Sequence, residues 1–177
     1  MSAPPEARTA IEETIDGIRG RPDLAQGTVH STARIEEGMK CVVSEGNWVL
    51  TCGVPPAVGG ASEGPSPGVY GRAALSSCVA IGIKIWAARL GLPVHSIQVS
   101  VAGDYDWRGD FGLDDVAPGF QRFRLQIDVD SPADTDAVTK LVNTTLATSS
   151  WFDVFTRAQV IDTRIHVSNN PRTAAAN

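Results

Sequence analysis

The chain has 177 residues, the length of a single domain that can bury a sizeable core. Hydrophobic residues make up 42% of it and charged residues 20%, as in an ordinary folded protein. A net charge of -5 and a pI near 5.1 argue against nucleic acid or an anionic membrane as the main partner, because both select basic surfaces.

The N-terminal region is predicted to form an amphipathic helix. Its apolar residues recur at helical spacing, with prolines before them and Gly20 after: Ala7, Ile11, Ile15 and Ile18. This region is acidic and has no continuous apolar run, so it matches neither a signal peptide nor a transit peptide, and we expect a cytoplasmic protein. We interpret residues 1–27 as a helical extension that packs on the body or on a partner subunit.

Two stretches, 28–35 and 39–52, predict a meander of about three strands, with a turn at Gly46. A loop rich in Gly, Pro and Ser then leads into an apolar helix that Pro67 can start and Gly91 can end. Three isoleucines of this helix are all expected to be buried: Ile81, Ile83 and Ile85. Charged residues interrupt its apolar run, which favours a core helix over a membrane span.

The second half of the chain predicts further strands and helices. Residues 97–101 and 122–129 alternate apolar and polar side chains, as half-buried strands do. Ser131 is the expected N-cap of a second amphipathic helix, with Pro132 at its first position. Residues 151–155 predict a short helical turn and 160–167 a last strand, followed by a disordered tail at 169–177.

Three cysteines, at positions 41, 52 and 78, fit neither a disulfide framework nor a zinc-ligand spacing, and we expect reduced thiols. The three histidines lie far apart in sequence, so no metal and no cofactor is expected. Cys78 is distinctive because it lies inside the apolar helix. A helical cysteine can be a space-filling hydrophobe or a reactive thiol, and the residue alone does not decide between the two.

The segments around Cys78 carry a family resemblance through their order. The Gly/Pro loop and the cysteine-containing helix are followed by the strand at 97–101, by Arg108-Gly109, by Pro118-Gly119-Phe120 and by Ser149-Ser150-Trp151-Phe152. This succession resembles the osmotically inducible protein C (OsmC) family, which includes the organic hydroperoxide resistance proteins. The resemblance implies an α+β fold over residues 28–168, in which antiparallel sheets wrap a central apolar helix. It also implies an intertwined homodimer with the reactive cysteine at the subunit interface.

The resemblance also implies a set of site residues. In the hydroperoxide-reducing proteins of that family a helix cysteine acts beside an arginine and a glutamate, and a second cysteine resolves its sulfenic acid. Cys78 matches the first cysteine, while Lys40 stands at the arginine position, Gly68 at the glutamate position and Ser149 at that of the second cysteine. Lys40 keeps a positive charge without the planar fork of arginine, and Ser149 cannot form a disulfide.

Activation of Cys78 is expected to come from side chains, since the residue lies about three turns past the start of its own helix, where the dipole effect has faded. Lys40 is the candidate cation. Arg72 lies on the same helix but on a face about 120° away.

Two functions remain open at this point. The first is a thiol-dependent peroxidase that reduces small organic hydroperoxides through Cys78, with Lys40 as electrostatic activator and an external thiol as reductant. The second is a non-catalytic protein that binds a small hydrophobic ligand at the dimer interface, lined by Ser149, Trp151 and Phe152.

Overall fold

A 24-residue helix forms the centre of the molecule, and the other elements lie around it. The computed structural model describes residues 5–168, so the predicted disordered tail lies outside the described residues. The elements in chain order are α1 (Pro5–Gly20), β1 (Thr32–Arg34), β2 (Cys41–Glu45), β3 (Trp48–Cys52), α2 (Pro67–Leu90), β4 (Ser96–Tyr105), α3 (Trp107–Asp110), β5 (Phe120–Asp130), α4 (Thr135–Thr148) and α5 (Ser150–Thr156).

The ends of α2 are the predicted ones. Pro67 occupies the first helical position, where its missing N–H costs nothing. Gly91 ends the helix in the left-handed conformation, at φ 66°, and its N–H bonds back to the last turn.

The hydrophobic core lies along one side of α2. Its side chains recur every four residues and meet one residue of the loop before β4 and one residue of α4: Leu75, Val79, Ile83 and Ala87, with Val94 and Leu141. Strands β4 and β5 form an antiparallel pair whose alternate side chains cover this cluster, and α4 packs on it from another side. The two predicted strands and the second amphipathic helix are therefore present.

Strands β1, β2 and β3 form a separate antiparallel sheet, as the predicted meander requires. Gly46, at φ 54°, makes the tight turn between β2 and β3. The end of β3 is joined to α2 and its preceding loop by two hydrogen bonds. Tyr70 Oη donates to the Thr51 carbonyl at 2.8 Å, and Gly53 N donates to the Pro65 carbonyl at 3.2 Å.

The N-terminal segment is helical, as predicted, and α1 lies against α2 with Ile11 and Ile15 half-buried. The division of the chain at residue 27 remains a prediction.

Helices α2 and α4 approach each other closely at Gly82. A Cβ atom at this position would lie 2.8 Å from Thr145 Cγ2, and Thr145 is fully buried.

We expect Gly82→Ala to destabilise the protein. The added methyl group overpacks the contact between α2 and α4, which costs about 1–3 kcal/mol, whereas the higher helix propensity of alanine stabilises the helix by only about 1 kcal/mol. Urea unfolding measures the change. In a Thr145→Ser background the interfering methyl is gone, so the same substitution should be neutral or stabilising there. Equal losses in both backgrounds would contradict the close approach.

Two local predictions were wrong. The N-cap of α4 is Asp134, whose carboxylate accepts the Ala137 N–H at 2.9 Å, so the helix begins three residues later than expected from Ser131. Residues 160–167 form no strand in the protomer, and Val160 is 93% exposed. A strand forms only by pairing with a neighbouring strand, and neither sheet of the described residues pairs with this segment.

The expectation that three isoleucines of α2 are buried was also wrong for the single protomer. Ile83 is fully buried, whereas Ile81 is 60% and Ile85 40% exposed. At 100° per residue, positions 81 and 85 point away from position 83. They belong to an exposed stripe of α2 that contains no charged side chain: Val69, Ala73, Ser77, Ile81 and Ile85. By length and composition alone α2 could cross a membrane, a property that core helices of soluble proteins share.

Candidate active site

Cys78 lies half-buried on α2, where the start of α5 approaches it. Its Sγ is 3.4 Å from Ser149 Oγ and 3.9 Å from Ser150 Oγ. The structure therefore brings together Cys78 and Ser149, which stand 71 positions apart in the sequence.

Ser149 is also the N-cap of α5. Its Oγ accepts the Phe152 N–H at 3.4 Å, and the residue is only 7% exposed. Since the oxygen accepts from the backbone, the hydroxyl hydrogen is free to donate to a thiolate at Cys78. A serine before an apolar run is an ordinary helix-start signal. The sequence does not show that this start faces Cys78.

The surroundings of Cys78 favour its thiolate. Burial raises the pKa of the Cys78 thiol, but hydrogen bonds from Ser149 Oγ, from the Trp151 and Ser150 backbone amides and from Ser150 Oγ outweigh it, so the pKa lies below its ordinary value. The expectation that side chains alone activate the thiol was incomplete, because two of these donors are the first amides of α5. The N-terminus of α5 therefore stabilises the Cys78 thiolate, whereas the N-terminus of α2 is too far from Cys78 to do so.

Removal of the Ser149 hydroxyl should make Cys78 less reactive. We expect Ser149→Ala to raise the pKa of the Cys78 thiol and to slow its alkylation at pH 7 roughly five- to tenfold, since a hydrogen bond to a charged group contributes on the order of 1.5 kcal/mol. The rate of iodoacetamide labelling against pH gives both quantities. Ser150→Ala, which removes the more distant hydroxyl, is the matched control and should have a smaller effect. An unchanged labelling profile for Ser149→Ala would contradict the assigned contact.

Lys40 lies elsewhere in the protomer. It lines a shallow hollow on the sheet of β1–β3 with Arg34, Glu36, Glu37 and Val42. The groups that shift the pKa of Cys78 do not include it. The role of Lys40 as an activator of Cys78 stays a prediction. It requires a second subunit whose Lys40 lies near the thiol.

Gly68 and Arg72 are neighbours in the first turns of α2. A Cβ at position 68 would lie 3.3 Å from the Arg72 guanidinium, which stands 5.5 Å from the centroid of the Phe120 ring. Arg72 thus contacts an aromatic face. Arg72 is not among the groups that shift the pKa of Cys78, whose hydrogen-bond partner is Ser149.

The two aromatic residues expected to line a ligand pocket have different surroundings. The Trp151 side chain is 44% exposed, with its ring 6.3 Å from that of Phe155. Phe152 packs against the hydrophobic core. Of these two aromatic residues, Trp151 is the exposed one. Within residues 5–168, no three His, Cys, Asp or Glu side chains are grouped to hold a metal ion.

The family model for OsmC-like proteins matches residues 59–164, which is more than half of the chain. The chain belongs to the OsmC-like family. The match includes α2 with Cys78 and α5 with its N-cap Ser149, and it leaves out α1 and the sheet of β1–β3.

Solved structures of this family share the fold. An OsmC-like protein from Mycoplasma pneumoniae is 13% identical, with a TM-score of 0.62 over 73% of this chain and 88% of its own. The organic hydroperoxide resistance protein OsmC from Legionella pneumophila is 14% identical, with a TM-score of 0.54 over 73% and 90%. An OsmC-like hydroperoxide resistance protein from Jannaschia sp. CCS1 is 20% identical, with a TM-score of 0.51 over 80% and 93%. No curated protein matches the sequence.

Proposed function

We propose that the protein is a thiol-dependent peroxidase that reduces organic hydroperoxides through Cys78. The observation that carries the proposal is the contact between Cys78 Sγ and Ser149 Oγ at 3.4 Å, together with the α5 amides that favour the thiolate. A half-exposed thiol with a lowered pKa is the environment of a reactive cysteine rather than an inert one. The names of several structural relatives, which refer to hydroperoxide resistance, point the same way.

The chemistry follows from the thiolate. It attacks the outer oxygen of the hydroperoxide, the O–O bond breaks, and the substrate leaves as an alcohol after it takes a proton. Cys78 is oxidised to a sulfenic acid. One external thiol condenses with this group and releases water, and a second thiol exchanges with the mixed disulfide, so that Cys78 is reduced and the reductant leaves as a disulfide.

External thiols are part of the proposal because Ser149 cannot resolve the sulfenic acid. Cys41 and Cys52 lie on the sheet of β1–β3, and neither contributes to the surroundings of Cys78. A cytoplasmic location fits this need, since low-molecular-weight thiols are kept reduced there.

A second copy of the chain is also part of the proposal. Ile81 is three positions from Cys78, so it lies near that face of α2, and both Ile81 and Trp151 are exposed apolar side chains. A homodimer that covers the uncharged stripe of α2 would enclose Cys78 in an apolar pocket suited to the organic part of a hydroperoxide. Light scattering that reports a mass near 18.7 kDa at micromolar concentration would contradict the dimer.

The direct test is to trap the sulfenic acid. We expect a dimedone adduct on Cys78 after treatment with one equivalent of cumene hydroperoxide, and peroxide turnover that is slow and proportional to the concentration of an added monothiol. Peptide mass spectrometry locates the adduct. Unmodified Cys78 with the peroxide unconsumed would contradict the peroxidase.

That negative result would instead support the second candidate, a protein that binds a small hydrophobic ligand at the dimer interface. The exposed Trp151 and Ile81 favour it, as does the serine at position 149.

A further inference from the structure

Cys41 and Cys52 stand directly opposite each other in the sheet of β1–β3. The register of β2 and β3 pairs them, and both are free thiols. Directly opposite residues of an antiparallel pair point to the same face, with Cα atoms about 4.5–5.5 Å apart. This spacing lies within the ~4.4–6.8 Å that a disulfide spans. The Cα spacing of this pair therefore permits a disulfide between the two thiols.

The two cysteines differ in accessibility. Cys41 is half-buried and lies past the end of the β1 ladder, which reaches β2 only at Val42. Cys52 is 8% exposed. Its flanking residues are held in place, because the Thr51 carbonyl accepts from Tyr70 Oη and Gly53 N donates to the Pro65 carbonyl. An external molecule can therefore reach the Cys41 thiol, while the Cys52 thiol opposite it is buried and held in place.

We propose that Cys41 and Cys52 form a redox-active dithiol that exchanges with low-molecular-weight disulfides. The Cys41 thiolate attacks one sulfur of the external disulfide and expels a first thiolate, which leaves a mixed disulfide on Cys41. The Cys52 thiolate then attacks Cys41 Sγ, forms the intramolecular disulfide and expels the second thiolate. The protein is oxidised by two electrons, and the external disulfide is reduced to two thiols that carry the two protons.

This site is independent of the peroxidase proposed for Cys78. It uses other cysteines, which lie on a sheet rather than on a helix, and another oxidant. Closure of the disulfide would join the first residue of β2 to the last residue of β3 and so fix the open end of this hairpin. Lys40 directly precedes Cys41, so its backbone would be held as well.

Oxidised glutathione is the probe for the exchange, and the full wild-type chain is used. We expect Cys41 and Cys52 both to become resistant to alkylation under denaturing conditions, whether or not Cys78 also carries a glutathione adduct, and dithiothreitol to restore all three thiols. Trypsin leaves both cysteines in one peptide, residues 41–72, and places Cys78 in another, residues 73–84. Cleavage after Glu45 then separates Cys41 from Cys52 unless a disulfide joins the fragments.

Two variants assign the order of events. Cys52→Ser should accumulate one glutathione adduct on Cys41, whereas Cys41→Ser should gain far less adduct on the buried Cys52. Cys78→Ser should form the disulfide as the wild type does, which separates this site from the peroxidase. Cys41 and Cys52 that both stay alkylatable after exchange, or disulfides found only between two copies of the chain, would overturn the proposal.

Discussion

Replacement of Cys78 by serine should abolish thiol-dependent reduction of organic hydroperoxides, with a loss of roughly a hundredfold or more. A serine hydroxyl in this position cannot form the sulfenic acid through which the reaction passes. Consumption of cumene hydroperoxide in the presence of dithiothreitol measures the change.

Cys41→Ser and Cys52→Ser are the matched controls for this substitution, since each removes one thiol and leaves the surroundings of Cys78 unchanged. Both should keep most of the activity. Activity that survives in Cys78→Ser, or that disappears equally in all three variants, would show that Cys78 is not the nucleophile.

Conversion of Ser149 to cysteine should create a resolving thiol in the protein. The 3.4 Å between Cys78 Sγ and Ser149 Oγ places the two side chains in contact, so a cysteine at position 149 can reach the sulfenic sulfur. We expect one equivalent of hydroperoxide to produce an intramolecular disulfide between positions 78 and 149 in place of a dimedone-reactive species. Turnover with a dithiol reductant should rise about tenfold or more, because the resolving step becomes intramolecular.

The expected disulfide is read by mass spectrometry without reduction. Ser150→Cys is the matched control, because Ser150 Oγ is farther from Cys78, at 3.9 Å, and it should form the disulfide less completely. A variant Ser149→Cys that stays fully dimedone-reactive would contradict the geometry. The same variant should also lose about 1 kcal/mol of stability, since sulfur is a poor acceptor for a helix cap.

Those elements of the fold that rest on local pattern were predictable from the sequence. Pro67 and Gly91 mark the ends of α2 by backbone preferences that neighbours do not change. The alternation at 122–129 identified β5 in the same way. The segment at 160–167 has equally strong apolar residues, but a strand also needs a partner, and the pattern of one segment says nothing about which backbone lies beside it.

The residues of the candidate site could be predicted from the sequence, but their contacts could not. Cys78 and Ser149 could be singled out, but their contact depends on how α5 packs on α2. Lys40 was predicted from a counted position along the chain, and the structure places it beside the sheet of β1–β3, in a hollow that does not include Cys78. The pairing of Cys41 with Cys52 needed the register of the hairpin, which depends on how its two strands align.

The shared use of Ser149 couples the ionisation of Cys78 to the integrity of α5. One hydroxyl group caps the helix and contacts the sulfur, and the first amides of the helix complete the thiolate's hydrogen bonds. Such coupling is reciprocal. We expect fraying at the start of α5 to raise the pKa of Cys78, and alkylation or oxidation of the sulfur to loosen the start of α5. Amide exchange in the first turn of α5 should therefore change with the chemical state of the sulfur.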